Sequence, residues 1–157
     1  MKKIIVTALV IFIGYGLIAQ DYKAAIGIRG GVAQGITFKT AVGGNTAFDL
    51  IVATHYHGLN LTALYEIHSL DIFGVDNLAL FYGFGGQVGF YNSSYYRSSW
   101  GTYSNGLVVG IAGVVGVEYT FDEIPINLSV DIVPSFNVVP NFWYWQRGAL
   151  SIRYVFK

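Results

Sequence analysis

Few residues in this chain could do chemistry. Arg29, Lys39, Asp49, Glu66, Glu118, Asp131 and Arg153 stand in stretches that are otherwise apolar or small. Glu66 and Glu118 are the carboxylate pair that an acid–base mechanism would use. His55, His57 and His68 could offer imidazole nitrogens to zinc or copper. Neither set closes into a site. His55 and His57 alternate onto one face of an extended stretch. His68 lies on the next segment, where a turn at Gly58-Leu59 would set it opposite Asp49, several residues from His57. No Ser-His-Asp spacing is present. The absence of cysteine removes thiolate nucleophiles, thiolate metal sites and disulfides. No glycine loop is built to cradle phosphate, and Gly85-x-x-x-Gly89 matches a helix-pairing motif inside a strand pattern. The sequence therefore assigns no catalytic residue, no metal site and no cofactor. A formal net charge of zero gives nucleic acid nothing to recognise.

A second group is aromatic. "NSSYYRSSWGTYSN" carries Tyr95, Tyr96, Arg97, Trp100 and Tyr103, and "PNFWYWQRG" carries Phe142, Trp143, Tyr144 and Trp145. Tyr, Trp and Arg are enriched at binding hot spots. The same aromatics also anchor at the level of lipid headgroups. Both readings place these residues on external loops.

The elements that position these groups follow from alternation. In "GLVVGIAGVVGVEYTF", the odd positions Leu107, Val109, Ile111, Val115 and Val117 are large and apolar. The even positions Val108, Gly110, Ala112, Val114, Gly116, Glu118 and Thr120 form the smaller or polar set. Successive side chains of a strand point to opposite faces, so this is a strand with one greasy face. The same period of two recurs over residues 23–32, 36–42, 46–57, 60–69, 77–91, 106–121, 126–139 and 148–157, giving eight strands. Short links at 33–35, 43–45, 58–59 and 122–125 predict antiparallel neighbours. The turn at 43–45 sets Lys39 opposite Asp49. Links 70–76, 92–105 and 140–147 are longer.

The chain is 54% hydrophobic and 11% charged, against roughly 25% charged in a soluble domain. A soluble sandwich would bury the greasy face and show a charged one to water. Here the second face is Gly, Ala, Ser and Asn with one or two charges per strand, which suits the narrow inside of a closed barrel. The large apolar set then faces lipid, where a closed barrel leaves no strand edge unpaired. Aromatics near the strand ends fit interfacial girdles. The seven charges become a lumen network: across an eight-stranded barrel Lys39 can face Glu118, and Arg153 can face Glu66. Charges in such an interior persist when paired.

Residues 1–19 read separately. "MKKIIVTALVIFIGYGLIA" has two lysines, an apolar run and a small-residue end, the pattern of a secretory signal peptide cleaved before Gln20. Residues 20–157 form the barrel.

The mature chain resembles the small Gram-negative outer-membrane β-barrels of the eight-stranded OmpA/OmpX type. "AAIGIRGGVAQGITFKT", "LNLTALYEIHSL", "GVVGVEYTFDEIPINLSVDIVPSFN" and "GALSIRYVFK" carry the resemblance. It implies an all-β, antiparallel, up-and-down transmembrane β-barrel in the cell outer membrane. Its partners would be the lipid bilayer, lipopolysaccharide and the barrel assembly machinery, which reads a terminal aromatic; here Phe156 is penultimate. An even strand number puts both termini in the periplasm. The expected role is structural or interaction-based, through the aromatic loops or as a small subunit with an envelope protein partner. The rivals are a narrow channel for water, ions or very small solutes, which conductance in planar bilayers would reveal, and an outer-leaflet lipid-modifying enzyme.

Overall fold

The computed structural model describes residues 23–55, 58–70, 74–91, 106–139 and 142–156. Residues 1–19 and Tyr95, Tyr96, Arg97, Trp100 and Tyr103 lie outside them. The strands are β1 (Ala24–Gly31), β2 (Gln34–Gly43), β3 (Thr46–His55), β4 (Gly58–Ser69), β5 (Leu78–Tyr91), β6 (Gly106–Thr120), β7 (Ile126–Val139) and β8 (Phe142–Phe156). Each pairs antiparallel with its sequence neighbours, and β8 returns to β1, so the chain is a closed eight-stranded up-and-down barrel. Closure satisfies the ladder groups of every strand and leaves no edge.

Alternation sets which face goes inside. Along β4 the burial pattern switches at every residue, with Asn60, Thr62, Leu64, Glu66 and His68 inward. Along β6, Val108, Ala112, Val114 and Glu118 point in, while Leu107, Val109, Ile111, Val115 and Val117 point out. The barrel is inverted relative to a water-soluble domain: Ile28, Phe84 and Ile111 are 66%, 69% and 61% exposed, whereas every charge of the network is buried.

The turns fix part of the register. Gly44 has φ +58 and Gly43 φ +139, backbone that L side chains rarely adopt. The Thr46 hydroxyl donates to the Gly43 carbonyl at 2.6 Å. A register shift between Ala41 and Gly43 narrows the expected 43–45 loop to Gly44-Asn45, yet Lys39 still pairs with Asp49. Two other turns differ from expectation. Gly58 and Leu59 belong to β4 and pair with His55 and Thr54, so they are not the turn. Asp49 therefore pairs with Leu64, not His68. Ile36 pairs with Ile28 rather than Val32. Both slides run by an even number of residues. An even slide leaves every side chain on its original face, so alternation cannot detect it.

β8 begins at Phe142 rather than 148. Phe142, Trp143, Tyr144 and Trp145 are thus in a strand, not an external loop, and their backbone pairs with Asn137, Phe136, Ser135 and Pro134. A shift between Asp131 and Val133 changes the parity of β8 beyond Ala149. A bulge does this by inserting one unpaired residue. Phe142 to Trp145 are four consecutive aromatics, so no alternation marks this continuation of the strand.

The lumen is also less uniformly small than expected. Phe81, Leu64, Ile51, Val114 and Val133 are buried inside it with Ala33, Ala53 and Ala112. Glycines make the room. A Cβ on Gly116 would lie 2.7 Å from the Phe81 ring and 2.5 Å from the Val130 carbonyl oxygen. Gly116→Ala should therefore lower barrel stability by about 1–3 kcal/mol, the usual cost of overpacking. Thermal unfolding in micelles would read this loss, and an unchanged midpoint would mean that Phe81 does not rest on β6.

Candidate functional site

All seven network charges face the barrel interior, each no more than 4% exposed. They form three groups. On β2, Lys39 lies where its Nζ reaches two carboxylates, Glu66 Oε2 of β4 at 2.7 Å and Glu118 Oε2 of β6 at 3.0 Å. The same ammonium sits 4.2 Å from the centre of the Phe81 ring, whose face attracts a cation. The expected approach of Lys39 to Glu118 is present, and Glu66 is added to it.

Arg153 of β8 is the hub of the second group. Its Nη2 pairs with Asp49 Oδ2 at 3.2 Å. Its other nitrogens donate to Ser129 Oγ at 2.7 Å, Asn127 Oδ1 at 3.3 Å and Thr37 Oγ1 at 3.2 Å. Thr37 in turn donates to Asp49 Oδ1 at 2.6 Å. A planar guanidinium serves several acceptors in this way. The expected partner of Arg153 was Glu66. Counting strands around the barrel set β8 opposite β4, but strand tilt displaces opposite residues along the axis. Asp49 on β3 lies at the level of Arg153, and Glu66 is held by Lys39.

In the third group, Arg29 of β1 makes a two-pronged ion pair with Asp131 of β7, across the intervening β8. Its Nη1 also lies 3.4 Å from Ser151 Oγ. Toward the loop end, Gln87 Nε2 donates to Asn137 Oδ1 at 2.5 Å. Together these contacts fasten β1 to β7, β2 to β4 and β6, β8 to β2 and β3, and β5 to β7. They join strands that are not ladder neighbours.

His68 is the member that sequence reasoning left out of the network. It is buried, and its ring stacks on Phe81 at 5.5 Å between centres. Nε2 lies 3.2 Å from Glu66 Oε2 and Nδ1 lies 3.0 Å from Glu118 Oε1. The Nδ1 contact is poorly directed for a hydrogen bond, so it is an electrostatic contact. The parity of β4 already placed His68 inward; the mistaken β3–β4 turn set it beside Asp49 instead. Phe81 was legible in the same way, from its alternation with Leu80 and Tyr82.

Among the described residues, no group of three or more His, Asp or Glu side chains has the geometry to hold a metal ion. Fold and interior together define a class: a closed eight-stranded barrel with an apolar exterior and a lumen filled by ion pairs. No family model matches the chain, and no curated protein matches it.

Proposed function

We propose that this chain is an integral outer-membrane β-barrel whose filled lumen serves a structural or interaction role rather than catalysis. The observation that carries this reading is the inversion of the fold. A belt of large apolar side chains, from Ile26, Ile28 and Ile36 round to Phe84, Ile111, Val130 and Ile152, is exposed on the outside of the barrel. A monomeric protein in water rarely shows apolar patches beyond a few hundred Å², whereas lipid is the solvent for which such a belt is suited. Aromatic pairs near one rim support it: Tyr119–Phe121 and Tyr154–Phe156 stand edge to face at 4.9 and 5.2 Å.

In this reading the bilayer and lipopolysaccharide surround the belt, and the barrel assembly machinery inserts the chain. Both termini are periplasmic, and the aromatic segments near the far rim meet an envelope partner. The interior favours a plug over a narrow channel, because Lys39 and Arg153 are closed off at 0% and 1% exposure and both are ion-paired.

Fractionation of a Gram-negative host tests the reading. The protein is expected in the outer membrane, extracted only by detergent, with heat-modifiable gel mobility and a mature chain starting at Gln20. Recovery in the soluble fraction would overturn the membrane reading. An intact mass that retains residues 1–19 would overturn the signal-peptide reading and favour an uncleaved membrane anchor. Purification in mild detergent with mass spectrometry of co-purifying proteins then addresses the partner.

A further inference from the structure

Among the described residues, the buried charges do not balance without a proton. Four carboxylates, Asp49, Glu66, Glu118 and Asp131, face three bases, Arg29, Lys39 and Arg153. Arg29 is matched by Asp131, and Arg153 by Asp49. In the remaining group one Lys39 ammonium faces two carboxylates, Glu66 and Glu118. His68 lies between those two carboxylates and presents one ring nitrogen to each.

We infer that the barrel interior binds one proton on His68, and that this imidazolium is the fourth positive charge that closes the plug. Neutral imidazole has one N–H donor and one lone pair. Whichever nitrogen lacked the proton would set its lone pair against a carboxylate oxygen, at 3.0 Å on the Glu118 side or 3.2 Å on the Glu66 side. An ionised carboxylate has no proton to donate back. The imidazolium donates from Nε2 to Glu66, holds its positive charge beside Glu118 through the Nδ1 contact, and brings the cluster to neutrality.

Among the described residues, the cations near His68 are Lys39 and Arg153, and each is already ion-paired. At this level β2 contributes Lys39, β3 contributes Asp49, β4 contributes Glu66 and β6 contributes Glu118. The Arg153 of β8 is engaged by Asp49. β5 presents the Phe81 ring, β7 the neutral Asn127 and Ser129, and β1 the methyl of Ala25. The plug is therefore a proton-dependent latch. It ties β2, β4 and β6 together while His68 is charged, and loses its neutrality when that proton leaves. The assignment rests on the lumen alone and does not depend on what surrounds the barrel.

The test has two arms, both on the full mature chain in detergent micelles. The first reads protonation. In a His55→Gln/His57→Gln variant, which leaves His68 as the single histidine, long-range proton–nitrogen spectra at about pH 7.5, above the ordinary histidine value of about 6.5, should show both ring nitrogens protonated. A neutral tautomer pattern overturns the proposal. The second arm reads linkage. Stability contributed by the imidazolium is present in acid and lost as the folded barrel releases its proton. The folded-to-unfolded ratio of the wild type should therefore fall by up to about tenfold per pH unit from about 6.5, where the unfolded chain's histidine releases its proton, up to the pH at which the folded barrel does. His68→Gln should begin less stable and lack that fall, and adding Glu118→Gln should recover part of the loss. A fall of equal size in His68→Gln overturns the latch. If His68→Gln does not fold, the spectra decide.

Discussion

Replacing Lys39 with methionine is expected to cost the barrel about 3–5 kcal/mol, the usual penalty for removing one partner of a buried ion pair. The reason is geometric. The Lys39 ammonium lies 2.7 Å from Glu66 and 3.0 Å from Glu118, and without it two carboxylates share one buried site with a single imidazole. Methionine keeps the volume and a favourable sulfur contact with the Phe81 ring, so the loss reports charge rather than a cavity. Glu118→Gln added to Lys39→Met leaves Glu66 facing His68, and should restore part of the stability. Urea or thermal unfolding in micelles, read by heat-modifiable gel mobility, measures both variants. If the double variant is no better than the single, Lys39 and Glu118 are not energetically coupled, and the β2–β6 contact is the feature to reject. Such a network need not stabilise the fold more than an apolar core of the same volume would. The network disfavours other strand registers, because a slipped strand would leave a buried charge unpaired.

Val115→Arg is the second large effect, and it bears on the solvent rather than the plug. Val115 lies in the middle third of β6, outward-facing and 41% exposed, between Tyr82 of β5 and Ile132 of β7. If that face meets lipid, arginine there should cost roughly 2–4 kcal/mol, and insertion into vesicles should fail or slow sharply. Ala112→Ser is the control. Ala112 is buried in the lumen and pairs with Ser135 of β7, where an added hydroxyl has a polar neighbour. Its insertion should be close to wild type. If the outside met water, Val115→Arg would be harmless. Equal tolerance of the two changes would therefore sink the membrane reading while leaving the barrel intact.

Much of this fold was legible in the chain because a strand has a strict period of two. Alternation gave eight strands, and it separated Ile111 and Val115 from Ala112 and Glu118. It also put all seven network charges on one side of the sheet. Glycines near a chain reversal located the Gly44 turn, and that turn alone fixed Lys39 against Asp49. The scarcity of charge marked the small face as an interior. Each of these rests on local stereochemistry, which the sequence carries directly.

Tertiary structure decided the rest, and the reason is the same period of two. Sliding β2 along β1, or β4 along β3, by an even number of residues keeps every side chain on its face. Only closure of the whole barrel selects Ile28 opposite Ile36 and His55 opposite Gly58. Four consecutive aromatics from Phe142 to Trp145 show no alternation, so this part of β8 did not look like a strand. Partners across the lumen depend on strand tilt and on side-chain reach, neither of which is local. That is why Lys39–Glu118 could be read from strand order, whereas Arg153 pairs with Asp49 and His68 joins Glu66 and Glu118 only in the closed barrel.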